Sequence, residues 1–470
     1  MSAPGGSFES RAALALKDPS LQKALGNFKP LFVAKRASAI AELPDFEALR
    51  ERAAQIKNAV LGELDVWLER YASAVEAAGG KVHFASDAAE AREIILGICR
   101  DANAKTICKG KSMVSEEIAL NPALEAEGYE VVETDLGEYI IQLAQEAPSH
   151  IIAPAIHKTR EQVADLFEAH HPGRPREESV AGLVNEARHV LRDKFFEADV
   201  GITGGNFLIA ETGSSVIVTN EGNGDLSQTL ARVHIVTSGI ERVLPTLDDL
   251  SVFLRILARS ATGQDTECYT TISTGPRRAG DPDGPQEYHV VLVDNGRSKM
   301  LGGKFHDMLR CIRCGACMNH CPVYSAIGGH AYGWVYPGPM GAILTPLFNG
   351  MAEHYDLPNA CTLNGRCQSV CPVKIPLTEL IRTLRSEQVK AGLMPARQRT
   401  LLAAWGWVAR HPDLYHALER FGTRLLRARA GRAGRIKSLP GAGAWTQVRD
   451  LPAPQGDTFI EQWQAQRGKS

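Results

Sequence analysis

The sequence predicts two kinds of fold in succession: an α/β domain built on a mainly parallel sheet, then a smaller, mostly helical domain rich in cysteine. Three observations predict it. Strand-like and helix-like segments alternate from about residue 70 to residue 300, which argues for crossover units. After Asn295-Gly296 the composition shifts to cysteine, glycine and proline. Seven of the ten cysteines lie between Cys311 and Cys371.

Taken in order, residues 8–45 read as two short helices broken by Pro19 and Pro30. A long amphipathic helix starts at Phe46, where Phe46, Leu49, Ala53, Ile56, Val60, Leu64, Trp67, Tyr71 and Val75 recur at steps of three and four. Gly79-Gly80 ends it. Lys81–Ala85 is predicted as a strand, with Ser86 as the cap of the next helix. Further strands are expected at Thr106–Cys108, Tyr129–Glu133, His150–Ala153, Val200–Thr203, Ser215–Thr219, Val233–Thr237, Cys268–Ser273 and Glu287–Val293. Helices fall from about Ser115, near Tyr139, over Thr159–Ala169 and up to Ala198. The division expected is a helical segment over 1–69, an α/β domain over 70–300, a cysteine-rich domain over 301–400 and an extension over 401–470.

Composition narrows the function classes. Lys and Arg total 52 against 54 Asp and Glu, a net charge of −2, which gives no electrostatic case for nucleic acid. Ten cysteines in 470 residues are far too few for a disulfide scaffold. No signal peptide is visible at the start and no apolar run is long enough to span a membrane. The uncharged stretch Ala331–Ala352 is interrupted by Pro337, Pro339 and Pro346, so it reads as irregular or short-helical chain packed against protein. A cytoplasmic location follows as the expectation, and there clustered cysteines point to metal or redox chemistry. Arg420–Lys437 holds seven basic residues and no acidic one. It reads as a solvated face or a subunit contact rather than a membrane anchor.

The chemistry lies in Cys311-Ile-Arg-Cys314-Gly-Ala-Cys317-Met-Asn-His-Cys321-Pro322. This is the C-x₂-C-x₂-C-x₃-C-P run of bacterial cubane iron–sulfur sites. Three thiolates two residues apart reach different irons of one cube, and the fourth points to a second cluster. A zinc site favours two separated C-x₂-C pairs. A second run follows, Cys361-Thr-Leu-Asn364-Gly-Arg-Cys367-Gln-Ser-Val-Cys371-Pro372, with asparagine in place of the second cysteine. With the fourth cysteines crossing over, cluster I takes Cys311, Cys314, Cys317 and Cys371, a 4Fe-4S set. Cluster II has Cys321, Cys361 and Cys367, one thiolate short at Asn364. An amide is a poor ligand for iron beside thiolates. The expected second cluster is therefore 3Fe-4S, or 4Fe-4S with a labile or non-cysteine fourth site. The long insert between the runs fits a helical two-cluster module of ferredoxin type.

Other signals are weaker. Gly110-Lys111-Ser112 looks like the end of a phosphate-binding loop, but Lys105 stands where its first glycine belongs. No G-x-G-x-x-G supports a dinucleotide site. His170-His171, His306, His320 and His330 could bind metal, but a solvated or hydrogen-bonded role is the commoner one for each alone. Glu211, in Ile209-Ala-Glu-Thr-Gly213, is the one candidate catalytic carboxylate, weighed against a turn or capping role.

Several stretches together carry a resemblance: Ala78-Gly-Gly-Lys-Val-His-Phe-Ala85, Ile209–Gly213, Thr274-Gly-Pro-Arg277, Leu292-Val-Asp-Asn-Gly-Arg297, the first cysteine run, Gly328–Pro339 and Cys371-Pro-Val-Lys-Ile-Pro376. In this order they resemble the lactate utilisation protein B family, the iron–sulfur subunit of a three-protein bacterial complex that oxidises L-lactate to pyruvate. The resemblance spans most of the chain. It implies an α/β fold of the ribose-phosphate isomerase and CoA-transferase type, then a ferredoxin-type domain. It implies two partner subunits and a downstream electron acceptor, and it places a cysteine where this chain has Asn364. Iron–sulfur clusters cannot take a hydride, and no flavin or nicotinamide site is recognisable, so the chain alone is expected not to oxidise lactate. The alternative is a self-contained enzyme with acyl or CoA chemistry at Glu211 and clusters that stabilise or regulate. A redox-sensing regulator lacks the basic recognition surface it would need.

Overall fold

Short runs of β-branched and apolar residues, each bounded by turn residues, form a six-stranded parallel sheet. A computed structural model of the chain describes residues 6–26, 29–446 and 449–467. The chain divides into two compact units, Met1–Ala391 and Gly392–Ser470. The strands of the first unit are β1 (Lys81–Ala85), β2 (Thr106–Lys109), β3 (Glu130–Glu133), β4 (Val200–Gly204), β5 (Phe207–Ile209), β6 (Ser214–Thr219), β7 (Val233–Gly239), β8 (Val243–Leu244), β9 (Tyr269–Ser273) and β10 (Glu287–Val293). The main sheet has the order β1-β10-β7-β4-β2-β3, with every pair parallel.

Both faces of this sheet are covered. Ile107 and Val131 join one apolar cluster with Ile95, Ile98 and Cys99 of helix Ala88–Asp101. Their neighbours Cys108 and Val132 join another with Phe167 and Leu191 of helices Arg160–His170 and Val180–Glu197. Alternate residues pointing to opposite faces explain why the two central residues of each of these strands are both apolar.

Two strands expected in the main sheet lie elsewhere. β6 and β9 form a second sheet of order β8-β5-β6-β9, in which β6 pairs antiparallel with both β5 and β9. β5 and β8 have three and two residues, too short to carry a period-two signal.

His150–Ala153 is irregular and not a strand. The His150 ring replaces the missing ladder: its Nδ1 accepts the N–H groups of Ile152 at 3.0 Å and Ala153 at 3.1 Å. Asp87, not Ser86, caps helix Ala88–Asp101, accepting from Ala89 and Glu90 at 2.9 Å. The long helix from Phe46 is two, Phe46–Gly62 and Leu64–Ala77, interrupted at Glu63 just after Gly62. Its predicted stripe is nonetheless buried from Phe46 to Val75, with Trp67 partly so. Pro19 opens helix Pro19–Gly26 instead of breaking one, because proline at the first position forfeits a hydrogen bond that has no partner anyway.

The stretch Ala331–Ala352 behaves as its prolines require. Helix Gly338–Asn349 has Pro339 in its first turn, contains Pro346 and is buried from Gly338 to Pro346. One continuous core joins helix Phe46–Gly62, the second sheet and the cysteine-bearing region. Among the described residues no helix is long and apolar enough to cross a membrane. The second unit contains helices Ala396–Ala409 and Pro412–Ala430, a two-residue antiparallel pair, β11 (Arg435–Ile436) with β12 (Leu451–Pro452), and helix Phe459–Arg467. Within the basic stretch, Arg429 donates to the Ser438 carbonyl at 3.0 and 3.2 Å.

Candidate metal centre

The two cysteine runs fold into copies of one turn. Arg313 and Leu363, at matching positions, have φ 57° and 55°, and Gly315 and Gly365 have φ 73° and 81°. Left-handed backbone is uncommon for arginine or leucine, so its recurrence in register marks a repeated device. Short helices follow each turn, Ala316–Asn319 and Arg366–Val370. Gly315 has a second constraint: a Cβ there would sit 3.3 Å from His150 Cε1 and Ile152 Cγ1.

The turns aim backbone N–H groups at sulfur. Leu363 donates to Cys361 Sγ at 3.3 Å, Tyr324 to Cys321 Sγ at 3.5 Å and Ile375 to Cys371 Sγ at 3.4 Å. Cys314 receives the N–H of Ala316. Asn364 does with oxygen what Cys314 does with sulfur: its Oδ1 accepts the N–H of Arg366, also two residues on, at 3.0 Å. The Asn364 side chain is exposed, whereas Cys314 is buried.

Cys311, Cys314, Cys317 and Cys371 line one cavity with Met340 and apolar neighbours such as Ile312 and Val373. Cys321, Cys361 and Cys367 form the other group, close enough that each negative charge opposes the next. Cys317 feels Cys367 as well as the members of its own group, so the two groups adjoin. Burial pushes the Cys314 and Cys367 thiols up to about 12 and Cys371 to about 11. Iron supplies the positive charge that such thiols need in order to ionise, and binding it releases their protons. The first group, with four thiols and N–H donors already directed at sulfur, fits a cubane cluster. The second offers three thiols and an amide.

Beside Cys311 lies a buried knot of charge. Arg297 holds Glu117 through two hydrogen bonds of 2.8 Å and its Nε lies 2.7 Å from Glu241 Oε2. Tyr336 donates to Glu117 at 2.6 Å. Arg313 Nη2 is 3.7 Å from Glu241 Oε1 and its guanidinium covers the Tyr336 ring at 4.6 Å. Lys57 donates to the Glu241 carbonyl, and burial lowers its ammonium to about 7. Met340 Sδ lies 3.6 Å from both Cys311 Sγ and Arg313 Nη1.

Over 463 residues the chain is 44% identical to lactate utilization protein B of Bacillus licheniformis, covering 98% of this chain and 97% of that protein. It belongs to the lactate utilisation protein B family. A lactate utilization protein B of Lysinibacillus sphaericus is 43% identical over 98% of this chain and 97% of its own length. An Escherichia coli protein described as an uncharacterized electron transport protein, YkgF, is 41% identical, covering 98% of each chain. Residues 68–293 match the LUD domain, 307–375 the 4Fe-4S dicluster domain and 386–469 the lactate utilisation protein B C-terminal family. This family member therefore carries an iron–sulfur dicluster domain.

Glu211 stands apart from these thiols. It is exposed, and its Oε2 accepts the N–H of Leu247 at 3.2 Å, at the start of helix Leu247–Ala261. That is the capping role weighed against chemistry in the sequence. His171 is held between Tyr139 at 2.8 Å and Glu186 at 2.7 Å, and His320 and His330 contact backbone carbonyls at 2.9 and 2.7 Å. Met340 and the role of Arg313 were not expected from the sequence. Arg313 alone had a signal, its place between two ligand-type cysteines.

Proposed function

We propose that this family member is the iron–sulfur electron-transfer subunit of a complex that oxidises L-lactate to pyruvate. In this reading Cys311, Cys314, Cys317 and Cys371 hold cluster I. Cys321, Cys361 and Cys367 hold cluster II, with Asn364 at the missing ligand position. When bound, such clusters supply one-electron steps at low reorganisation cost. The adjacency of the two thiol groups at Cys317 and Cys367 is the observation that carries the reading, since two close centres form a wire. The chain's own residues shape those centres. N–H donors stabilise thiolate sulfur, Met340 and the apolar wall exclude water, and Arg313 places a fixed positive charge beside Cys311. Nearby positive charge favours the more negative, reduced form of a cluster.

The α/β part, 70–300, would meet a partner or hold the organic substrate, while 301–400 carries electrons. Residues 1–69 form the N-terminal helical segment and 401–470 the C-terminal extension. Two further subunits and a downstream acceptor complete the complex, placed in the cytoplasm or at the membrane periphery through those partners. The names of the curated relatives and the dicluster match support this assignment. The test is anaerobic turnover of L-lactate with an artificial acceptor. The isolated, cluster-loaded chain should give none, and addition of its partner subunits should restore it. Turnover by the isolated chain overturns the proposal.

A further inference from the structure

The main sheet reverses its winding between β2 and β4. From β2 the chain moves outward to β3, and from β4 it moves the other way to β7 and β10. Ligands of open parallel sheets bind beyond the carboxyl ends of the strands at such a reversal. A cavity of about 190 Å³ lies there, lined by Lys111 just after β2, by Thr203 and Gly204 at the end of β4, and by Arg242 and Arg313. None of these residues is a cluster ligand in the proposal above.

The electrostatics of the cavity are unbalanced. Arg242 is buried, and its Nε and Nη1 find no hydrogen-bond partner. Its nearest carboxylate oxygen is Glu241 Oε1 at 3.9 Å from Nε. Glu241 is already shared with Arg297 and Arg313, and Glu117 is taken by Arg297. Three buried guanidiniums, Arg242, Arg297 and Arg313, thus share two carboxylates in this knot, with Lys57 and the Cys311 sulfur beside them. A buried cation without a full partner bears an uncompensated desolvation cost, so the site is built for an added negative charge. Lys111 is already paired with Asp135 at 3.1 Å. Asp135, Glu221 and Glu267 share the wall, and they oppose an anion of more than one charge while offering acceptors to a neutral hydroxyl.

We propose that this cavity binds a small monocarboxylate carrying a hydroxyl or oxo group, with its carboxylate on Arg242 and the neighbouring Arg313. The choice of a hydroxy- or oxo-acid rests on the electron-transfer reading of lactate utilisation; the anion site itself does not. Because Arg313 lies between Cys311 and Cys314, the bound negative charge acts directly on cluster I. Occupation of the cavity disfavours adding an electron there and lowers that cluster's reduction potential.

The test titrates the anaerobic, cluster-loaded full chain with L-lactate, pyruvate and inorganic phosphate. Binding is followed by calorimetry and the cluster I midpoint by redox titration with paramagnetic resonance detection. Saturable binding of L-lactate or pyruvate is expected, weaker or absent for phosphate, with a negative shift of the midpoint. Arg242→Gln should weaken carboxylate binding about tenfold or more, the worth of a hydrogen bond to a charged group, and abolish the shift. Lys111→Gln, at a half-exposed position, serves as the second variant if Arg242→Gln fails to fold, and should also weaken binding. Absence of saturable carboxylate binding, equal or tighter binding of phosphate, or binding unchanged in both variants overturns the proposal. A chain that binds carboxylate yet fails to transfer electrons would leave this site standing and remove only the electron-transfer reading.

Discussion

His150 Nε2 donates to Asn319 Oδ1 at 3.0 Å. Because His150 Nδ1 accepts two backbone N–H groups, the proton must sit on Nε2, and the ring is neutral. Asn319 also donates from Nδ2 to the Ala261 carbonyl at 2.9 Å. One amide on the helix that follows the first cysteine turn therefore ties that turn to two segments of the α/β part. Asn319→Ala leaves a buried N–H and a buried carbonyl without their partner, at about 1–3 kcal/mol each. The expected result is a lower urea midpoint together with faster loss of cluster I absorbance on exposure to air. An unchanged midpoint would remove the tie from the account.

The same burial makes stability pH-dependent. Desolvation lowers His150 to about 4 and His234 to about 3. The unfolded chain binds protons near the usual value of about 6.5, so between there and the lowered values it holds more protons than the fold. Stability is complete above about pH 6.5 and declines as pH falls. At about pH 5 the loss is about 2 kcal/mol for each of the two histidines. Urea midpoints of the anaerobic protein at about pH 7.5 and pH 5 measure it, and His234→Gln should remove about 2 kcal/mol of the dependence.

Glu117 and Arg297 form the most enclosed ion pair beside the clusters, with side chains 0% and 1% exposed. Glu117→Gln keeps the shape and removes the charge, leaving Arg297 with Glu241 alone. Breaking one member of a buried pair costs about 3–5 kcal/mol. Thermal unfolding should show that loss, and Asn295→Ala, which removes only one neutral donor to Glu117, should show much less.

Glu211→Gln separates the electron-transfer reading from acyl or CoA chemistry. Glu211 is an exposed carboxylate that accepts one helix-start N–H, a role worth about 1 kcal/mol. Lactate turnover by the reconstituted complex should therefore survive the change, with a small fall in thermal stability. Loss of turnover with both clusters intact would favour the enzyme reading.

Much of this was legible in the residues. The strands at Lys81–Ala85 and Glu287–Val293 declare themselves as short runs of strand-forming residues that each follow a glycine-bearing turn, and the parallel sheet follows from their alternation with helices. The cysteine spacing located the thiol groups. What stayed hidden is non-local. Glu117 and Arg297 are 180 positions apart, so no local pattern pairs them. His150–Ala153 has strand-like residues, but a histidine ring, not a neighbouring strand, takes up its backbone donors. Arg242 belongs to a short buried turn, Ile240–Arg242, where a charged pair would ordinarily read as surface. Glu211 has a glycine-turn setting that favours capping over catalysis, and its contact with the Leu247 N–H, 36 positions on, is not legible locally.

The two clusters are expected to be unlike, because Asn364 stands at the position in the second turn that Cys314 holds in the first. Paramagnetic resonance of the anaerobically purified chain, with iron and sulfide quantified on the same sample, tests it most directly. After reduction with dithionite one ordinary 4Fe-4S signal is expected, and after mild oxidation a 3Fe-4S signal. Asn364→Cys should convert the latter to a second 4Fe-4S signal. Two 4Fe-4S signals in the unaltered chain, both stable to mild oxidation, would contradict it.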